Sequence, residues 1–182
     1  MLYIEPAKLY VDAYNYMATH VSNIIYGGID GTITTFAVMT GAIGMGLPTA
    51  TTVILALSNV FADGFSMGVS AYESVILAAP YAGIIETPLI KAAVTFGAFI
   101  IIGSIPPLLY YAYSDADLKL YITISITILL LLFIGMLKGY MEDGADMNTI
   151  LGRGVQTAVL GSIAGAIAYA VTISMSGILI KK

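Results

Sequence analysis

Long runs without a charged side chain constrain the fold of this sequence more than any other feature. These runs cover residues 31–62, 120–137 and 154–180, and a fourth covers residues 92–114; a helix needs about 20 apolar residues to cross a bilayer. Only 10% of all residues are charged, whereas soluble domains carry about 25%. The chain cannot build an ordinary wetted surface, so we predict an all-α polytopic membrane protein.

The breaks between apolar segments predict five transmembrane helices in a single domain, residues 1–182. The expected spans are about 22–46, 50–72, 91–113, 118–138 and 154–180. Gly44–Pro48 should end the first span, and Pro106-Pro107 should kink the third. We expect the 73–90 connection to be an interfacial segment, because its uninterrupted apolar runs are too short for another span. Residues 5–20 suit a short amphipathic helix at the membrane surface or one leading into the first span; a frayed tail is the alternative.

The distribution of charge predicts a cytosolic N-terminus. With that orientation the inner side carries Lys8, Lys91, Lys138 and Arg153, against three lysines outside, a small positive-inside bias. The first residues lack a basic segment before an apolar core, so no cleavable signal peptide is expected. The net charge of -4 provides no basic footprint for nucleic acid. Without cysteine, the chain has neither disulfides nor thiolate metal ligands.

Two carboxylates lie inside the first two predicted spans, Asp30 and Asp63. A charged side chain at the bilayer centre costs about 2.5–3.5 kcal/mol on insertion scales. Such residues usually mark an ion or substrate path. We therefore interpret both aspartates as parts of a functional site.

The polar residues of the two spans should meet at one depth. The spans form a hairpin that turns near Leu47, and equal rise per residue in both helices brings Asp30 level with Asp63. Asn59, Asp63 and Met67 recur every four residues on one helical face, and Asn23 shares the stripe of Asp30. The predicted metal site therefore comprises Asp30, Asp63, Met67, Asn59 and Asn23. The alternative is that these groups only hydrogen-bond helices together.

Small residues and a thioether refine this hypothesis. G-x-x-x-G pairs allow helix backbones to approach closely. Gly27–Gly31 and Gly64–Gly68 flank the aspartates, and Gly161–Gly165 lies in the fifth span. The sulfur of Met67 is a poor ligand for Ca²⁺ or Mg²⁺, which prefer oxygen, whereas Fe²⁺ or Mn²⁺ accept mixed donors. Plain packing is the other role open to this methionine.

Two motifs resemble the vacuolar iron transporter family. They are Asp30-Gly-Thr-Ile-Thr, which opens the intramembrane part of the first span, and the Ser66-Met67 pair in the second. The resemblance implies five transmembrane helices, a homodimer with a pore between the subunits, and export of cytosolic Fe²⁺ or Mn²⁺ in exchange for protons. By position, Asp30 and Met67 match the family's pore-lining ion-binding pair.

The chain departs from that family pattern in two places. Asn23 and Asn59 stand where plant members place pore carboxylates, and Asp63 would supply the missing charge one turn from Asn59. Plant members also carry a glutamate-rich cytosolic extension after the second span. Here residues 73–90 hold only Glu73 and Glu86, so we expect this metal-binding extension to be absent.

The expected function is therefore transport rather than enzymatic catalysis, with no cofactor and with Fe²⁺ or Mn²⁺ as the transported ion. Expected partners are the metal ion, protons, the lipid bilayer and a second copy of the chain. The host membrane would be the cell membrane in a prokaryote or a vacuolar-type membrane in a eukaryote. Alternatives are a passive divalent-cation pathway, an assembly protein, and an intramembrane aspartyl protease, whose Gly-x-Gly-Asp and Pro-Ala-Leu motifs are missing.

Overall fold

The computed structural model describes the backbone of residues 6–82, 87–142 and 146–179, and the side chains of residues 18, 20–78, 87–142 and 146–178. This part of the chain is built from six helices and contains no strand. The helices are α1 (Pro6–Gly44), α2 (Thr49–Ala82), α3 (Pro88–Gly103), α4 (Ile105–Ala112), α5 (Ala116–Met141) and α6 (Met147–Leu179).

The helices agree with five membrane spans. Four stretches within the described residues are long and apolar enough to cross a bilayer: α2, α3 with α4, α5 and α6. The remaining helix, α1, has 39 residues, but its glycines, threonines and Asp30 make it less apolar. The all-α prediction is confirmed, and the five predicted spans correspond to α1, α2, the α3–α4 pair, α5 and α6.

Two predicted segments belong to longer helices. Residues 6–20 continue into α1 without a break, so this segment leads into the first span and is not a frayed tail. The predicted interfacial segment over 73–90 was wrong in extent, because α2 continues to Ala82 and α3 begins at Pro88. Pro80 therefore does not end the helix. Residues 83–86, with Glu86, lie outside the described residues.

Glycine and proline end the helices where the sequence indicates. Gly46 has φ of 69°, a left-handed conformation that glycine adopts without steric cost. Its N–H donates to the Ile43 carbonyl at 2.9 Å, and α1 ends there. In the third span, α3 ends at Gly103 and α4 begins at Ile105. Pro106 and Pro107 therefore lie in the first turn of α4, where backbone N–H groups have no acceptor within the helix.

The third span lies against both aspartate-bearing helices. A Cβ on Gly27 would lie 2.7 Å from the Thr95 carbonyl oxygen, and one on Gly31 would lie 2.7 Å from that of Phe99. On α2, Gly64 and Gly68 pack against Phe96. Gly27–Gly31 and Gly64–Gly68 thus both pack against α3. Neither pair forms a direct contact between α1 and α2.

The other helices close the bundle on the far side of α1. Gly161 contacts Leu131 of α5, and Gly165 contacts the ring of Phe36 on α1. The Gly161–Gly165 pair therefore allows α6 to pack closely against α5 and α1. A hydrogen bond from the Thr40 hydroxyl to the Gly165 carbonyl, at 3.0 Å, ties α1 to α6.

Aspartates cap the helices that follow the last two loops. Asp115 accepts the Leu118 N–H at 2.8 Å, and Asp146 accepts the Thr149 N–H at 2.9 Å. Hydrogen bonds from the Thr149 side chain and backbone hold the pKa of Asp146 below its ordinary value. The negative charge of an ionised Asp146 also interacts favourably with the positive end of the α6 dipole.

Candidate functional site

Asp30 and Asp63 are brought together by the helix hairpin. Both side chains are half-buried, and they are close enough for their charges to interact. This proximity agrees with the hairpin that the sequence predicts. Neither takes part in the ion pairs found among the described side chains, which join Glu142 to Lys138 and Arg153. The site thus brings two carboxyl groups close together without a cation from these ion pairs beside them.

The nearby Thr34 is engaged by the helix itself. Its hydroxyl donates to the Asp30 backbone carbonyl at 2.9 Å. Such back-bonding is common for threonine within helices. The Thr34 hydroxyl therefore donates to the backbone of Asp30 and not to its carboxyl group.

Asn23 and Met67 share a cavity of about 380 Å³ at the end of the bundle where α3 begins. We call it the Lys91 cavity, and its lining residues are Ser22, Asn23, Tyr26, Met67, Ser70, Ala71, Lys91 and Thr95. Asn23 is buried and Met67 is half-buried. The amide and the sulfur predicted as metal ligands therefore meet in one space, together with several hydroxyl groups.

Four of the five predicted ligands thus fall into two groups. Asp30 and Asp63 form a carboxylate pair, and Asn23 and Met67 line the Lys91 cavity. Asn59 is half-buried on α2, one turn from Asp63. Within the described ranges no three His, Cys, Asp or Glu side chains are clustered so that they could hold a metal ion. The described part of one chain therefore presents two carboxylates at this level.

A polar stripe runs along the outside of α2 beside the carboxylates. It consists of exposed residues at near-helical spacing: Ser58, Ala62, Ser66, Ser70 and Glu73. Asn59 and Asp63 border this stripe. Polar and small side chains facing lipid are unfavourable compared with burial against another helix. The stripe is therefore a surface that suits protein contact better than lipid.

The sequence predicts Lys91 and Lys138 at the inner ends of the third and fourth spans, but it does not predict their neighbours. In the fold, Lys91 lines the same cavity as Met67. Lys138 lies over the Tyr26 ring, with its Nζ 5.5 Å from the ring centroid, next to a second cavity of about 210 Å³. Both lysines stand at predicted span ends, and sequence alone does not show which neighbouring helix they face.

These features define a polytopic α-helical membrane protein with a pair of carboxyl groups on two adjacent helices. The model of the VIT family matches residues 21–83 and 76–173 of the chain. The chain therefore belongs to the VIT family, and the resemblance to vacuolar iron transporters is confirmed.

Three curated relatives match part of the chain. Proteins called vacuolar iron transporter from Plasmodium berghei (strain Anka) and Plasmodium falciparum (isolate 3D7) are 42% and 38% identical over 55 residues. One from Toxoplasma gondii (strain ATCC 50861 / VEG) is 35% identical over 60 residues. These alignments cover 30%, 30% and 33% of this chain. They span 20% of the length of each relative.

Proposed function

We propose that this protein moves Fe²⁺ or Mn²⁺ out of the cytosol in exchange for protons, through a pore between two copies of the chain. The observation that carries the proposal is the interacting pair Asp30 and Asp63, half-buried on adjacent spans and outside the described ion pairs. A divalent cation would neutralise this charge. Membership of the VIT family, and relatives called vacuolar iron transporters, support iron as the cargo.

A second copy would complete the site. The affinity of a site for a divalent ion increases with the number of charged ligands, and two carboxylates are few for such an ion. A two-fold axis along the polar stripe of α2 would double both aspartates and cover the stripe. Protons and metal would then compete for the same carboxylates, because a ligand must be deprotonated to bind metal. This competition is the proposed basis of metal/proton exchange.

Purified protein in liposomes tests the proposal. Metal entry and internal pH are followed together while Fe²⁺, Mn²⁺, Co²⁺, Zn²⁺ and Mg²⁺ are supplied in turn. We expect Fe²⁺ or Mn²⁺ uptake with proton flux in the opposite direction. Uptake without proton flux would indicate a passive pathway. Peptide cleavage without uptake would indicate a protease, and neither activity would favour an assembly role.

Replacing Asp63 by asparagine should reduce the apparent affinity for metal about tenfold or more, because a neutral amide supplies an oxygen but no charge. The matched substitution Asn59→Ala should change the affinity less than about threefold, since it removes no charge. Initial uptake rates over a range of metal concentrations measure both effects. If Asn59→Ala is the more damaging change, Asn59 and not Asp63 is the ligand on α2.

Replacing Met67 by leucine should narrow the preference for Fe²⁺ or Mn²⁺ over Mg²⁺ and Ca²⁺ by roughly fivefold, because only the sulfur is lost. The swap conserves volume and should change the unfolding free energy by less than about 1.5 kcal/mol. Met39→Leu is the matched control, because Met39 lies in the core with Val53 and Tyr110. Competition uptake with paired metals measures the preference. An unchanged preference in Met67→Leu would leave this residue a packing role only.

A further inference from the structure

Thr35 on α1 is a buried threonine whose hydroxyl lacks a hydrogen bond among the described residues. Thr32 is equally buried, but its hydroxyl donates to the Gly28 carbonyl at 2.8 Å. That bond to the carbonyl one turn earlier is a common way in which a threonine inside a helix satisfies its hydroxyl. Burial of a hydroxyl without a partner is unfavourable, so Thr35 carries a cost that Thr32 avoids.

Thr35 faces the break in the third span. Gly27, Gly28 and Gly31 all contact α3, and with about 3.6 residues per turn they cover an arc of about 100° around α1. Thr35 projects within this arc. Gly31 meets Gly103 at the end of α3, where a Cβ on Gly103 would lie 2.9 Å from the Gly31 carbonyl oxygen. Because α1 and α3 run in the same direction, Thr35, one turn beyond Gly31, lies level with the first turn of α4.

The prolines of that turn leave backbone carbonyl groups without their helical donors. Pro106 and Pro107 are fully buried in the first turn of α4. Proline has no N–H, so the carbonyls of Ile102 and Gly103, four residues earlier, receive no hydrogen bond from them. In membrane proteins a serine or threonine of a neighbouring helix commonly satisfies such carbonyls. Thr35 lies at the right level to do so, yet its hydroxyl bonds to neither carbonyl in this structure.

We propose that the break between α3 and α4 is a hinge, and that the Thr35 hydroxyl stabilises its second position by donating to the Gly103 carbonyl. The second position thus gains a hydrogen bond that the observed position lacks. α3 packs against α1 and α2 beside Asp30 and Asp63, whereas α4 packs against α1, α2 and α5 nearer the Leu47 end. A change of angle at the hinge therefore alters access to the two carboxyl groups from that end. This inference rests on the proposed transport function.

Thr35→Val tests this role, because valine keeps the branched shape and removes the hydroxyl. We expect kcat for Fe²⁺ or Mn²⁺ uptake to fall about two- to tenfold, the effect of losing one hydrogen bond. KM should stay within about twofold, since the carboxyl groups proposed to bind the ion are unchanged. The midpoint of thermal unfolding should rise by about 2–4 °C, because a buried hydroxyl without a partner is removed. A residue with only a packing role would not combine higher stability with slower uptake.

Two variants serve as controls. Thr35→Ser keeps the hydroxyl, so its kcat should stay within about twofold of that of the unsubstituted protein. Thr127→Val removes a hydroxyl that is also buried, on α5, but donates to the Thr123 carbonyl at 2.6 Å. This variant loses a hydrogen bond of the observed structure, so its unfolding midpoint should fall while its kcat stays within about twofold.

Pro107→Ala identifies the acceptor. Alanine restores an N–H for the Gly103 carbonyl and stiffens the break, so kcat should fall as in Thr35→Val. In the Pro107→Ala background Thr35→Val should cause little further loss, because both substitutions act on one carbonyl. Independent effects that multiply would overturn the proposal. If Thr35→Val does not fold, Thr35→Ala completes the same cycle.

Hydrogen–deuterium exchange in detergent tests the hinge without transport. Exchange of residues 104–112 should be slower in Thr35→Val, because the second position loses its hydrogen bond. Unchanged exchange and unchanged kcat in that variant would overturn the hinge and leave the transport function standing. Absence of metal uptake by the unsubstituted protein would overturn the transport function, whereas slower exchange in Thr35→Val would still support the hinge.

Discussion

Replacing Asp30 by asparagine is expected to abolish metal uptake into proteoliposomes while leaving the protein folded. The substitution preserves the size of the side chain and removes one of the two interacting carboxylates. Carboxylates supply most of the Coulomb attraction for a divalent ion, and a second copy of the chain would lose the same charge. The expected decrease in initial rate is therefore about a hundredfold or more, corresponding to about 2.7 kcal/mol.

Asp117→Asn provides the matched control for this prediction. Asp117 is an exposed carboxylate in the first turn of α5. The uptake rate of the Asp117→Asn variant should therefore stay within about twofold of that of the unsubstituted protein. Size-exclusion profiles and thermal unfolding in detergent establish that both variants are folded. Full uptake by a folded Asp30→Asn protein would show that Asp30 is not a ligand of the transported ion.

Replacing Gly31 by alanine is expected to destabilise the protein by about 1–3 kcal/mol, because it overpacks a helix contact. The added Cβ would lie 2.7 Å from the Phe99 carbonyl oxygen and 3.1 Å from its Cα. Both are backbone atoms, so relief requires α3 to move away from α1. That movement would also weaken the contact between Gly31 and Gly103, whose own Cβ would lie 2.9 Å from the Gly31 carbonyl oxygen.

Gly97→Ala controls for the change in helix propensity. Gly97 lies on α3, and a Cβ there would meet nothing within 4 Å. Alanine is favoured over glycine inside a helix by up to about 1 kcal/mol, so this variant should be neutral or slightly more stable. Thermal unfolding in one detergent compares the two. A Gly31→Ala protein as stable as Gly97→Ala would contradict the close approach of α1 and α3.

The proximity of Asp30 and Asp63 was predictable because it follows from helix geometry alone. The hairpin turn near Leu47 and a constant rise per residue place Asp30 level with Asp63, and the two carboxylates do interact in the fold. The limits of the spans follow from apolar length in the same way. The extent of α2 was misjudged because apolar length predicts only the part of a helix that crosses the membrane, whereas α2 continues to Ala82.

The partners of the small residues and of the lysines depended on tertiary structure. A G-x-x-x-G pair indicates that some helix approaches closely, but it does not identify that helix; the fold assigns α3 to both Gly27–Gly31 and Gly64–Gly68. For the same reason the place of Lys91 beside Asn23 and Met67 was not visible in the sequence. Apolar length and helical rise are properties of one segment, so the sequence by itself determined the spans and the level of the aspartates. The neighbours of a membrane helix depend on how all the helices pack, and only the tertiary structure decided that a lysine shares the cavity of two predicted metal ligands.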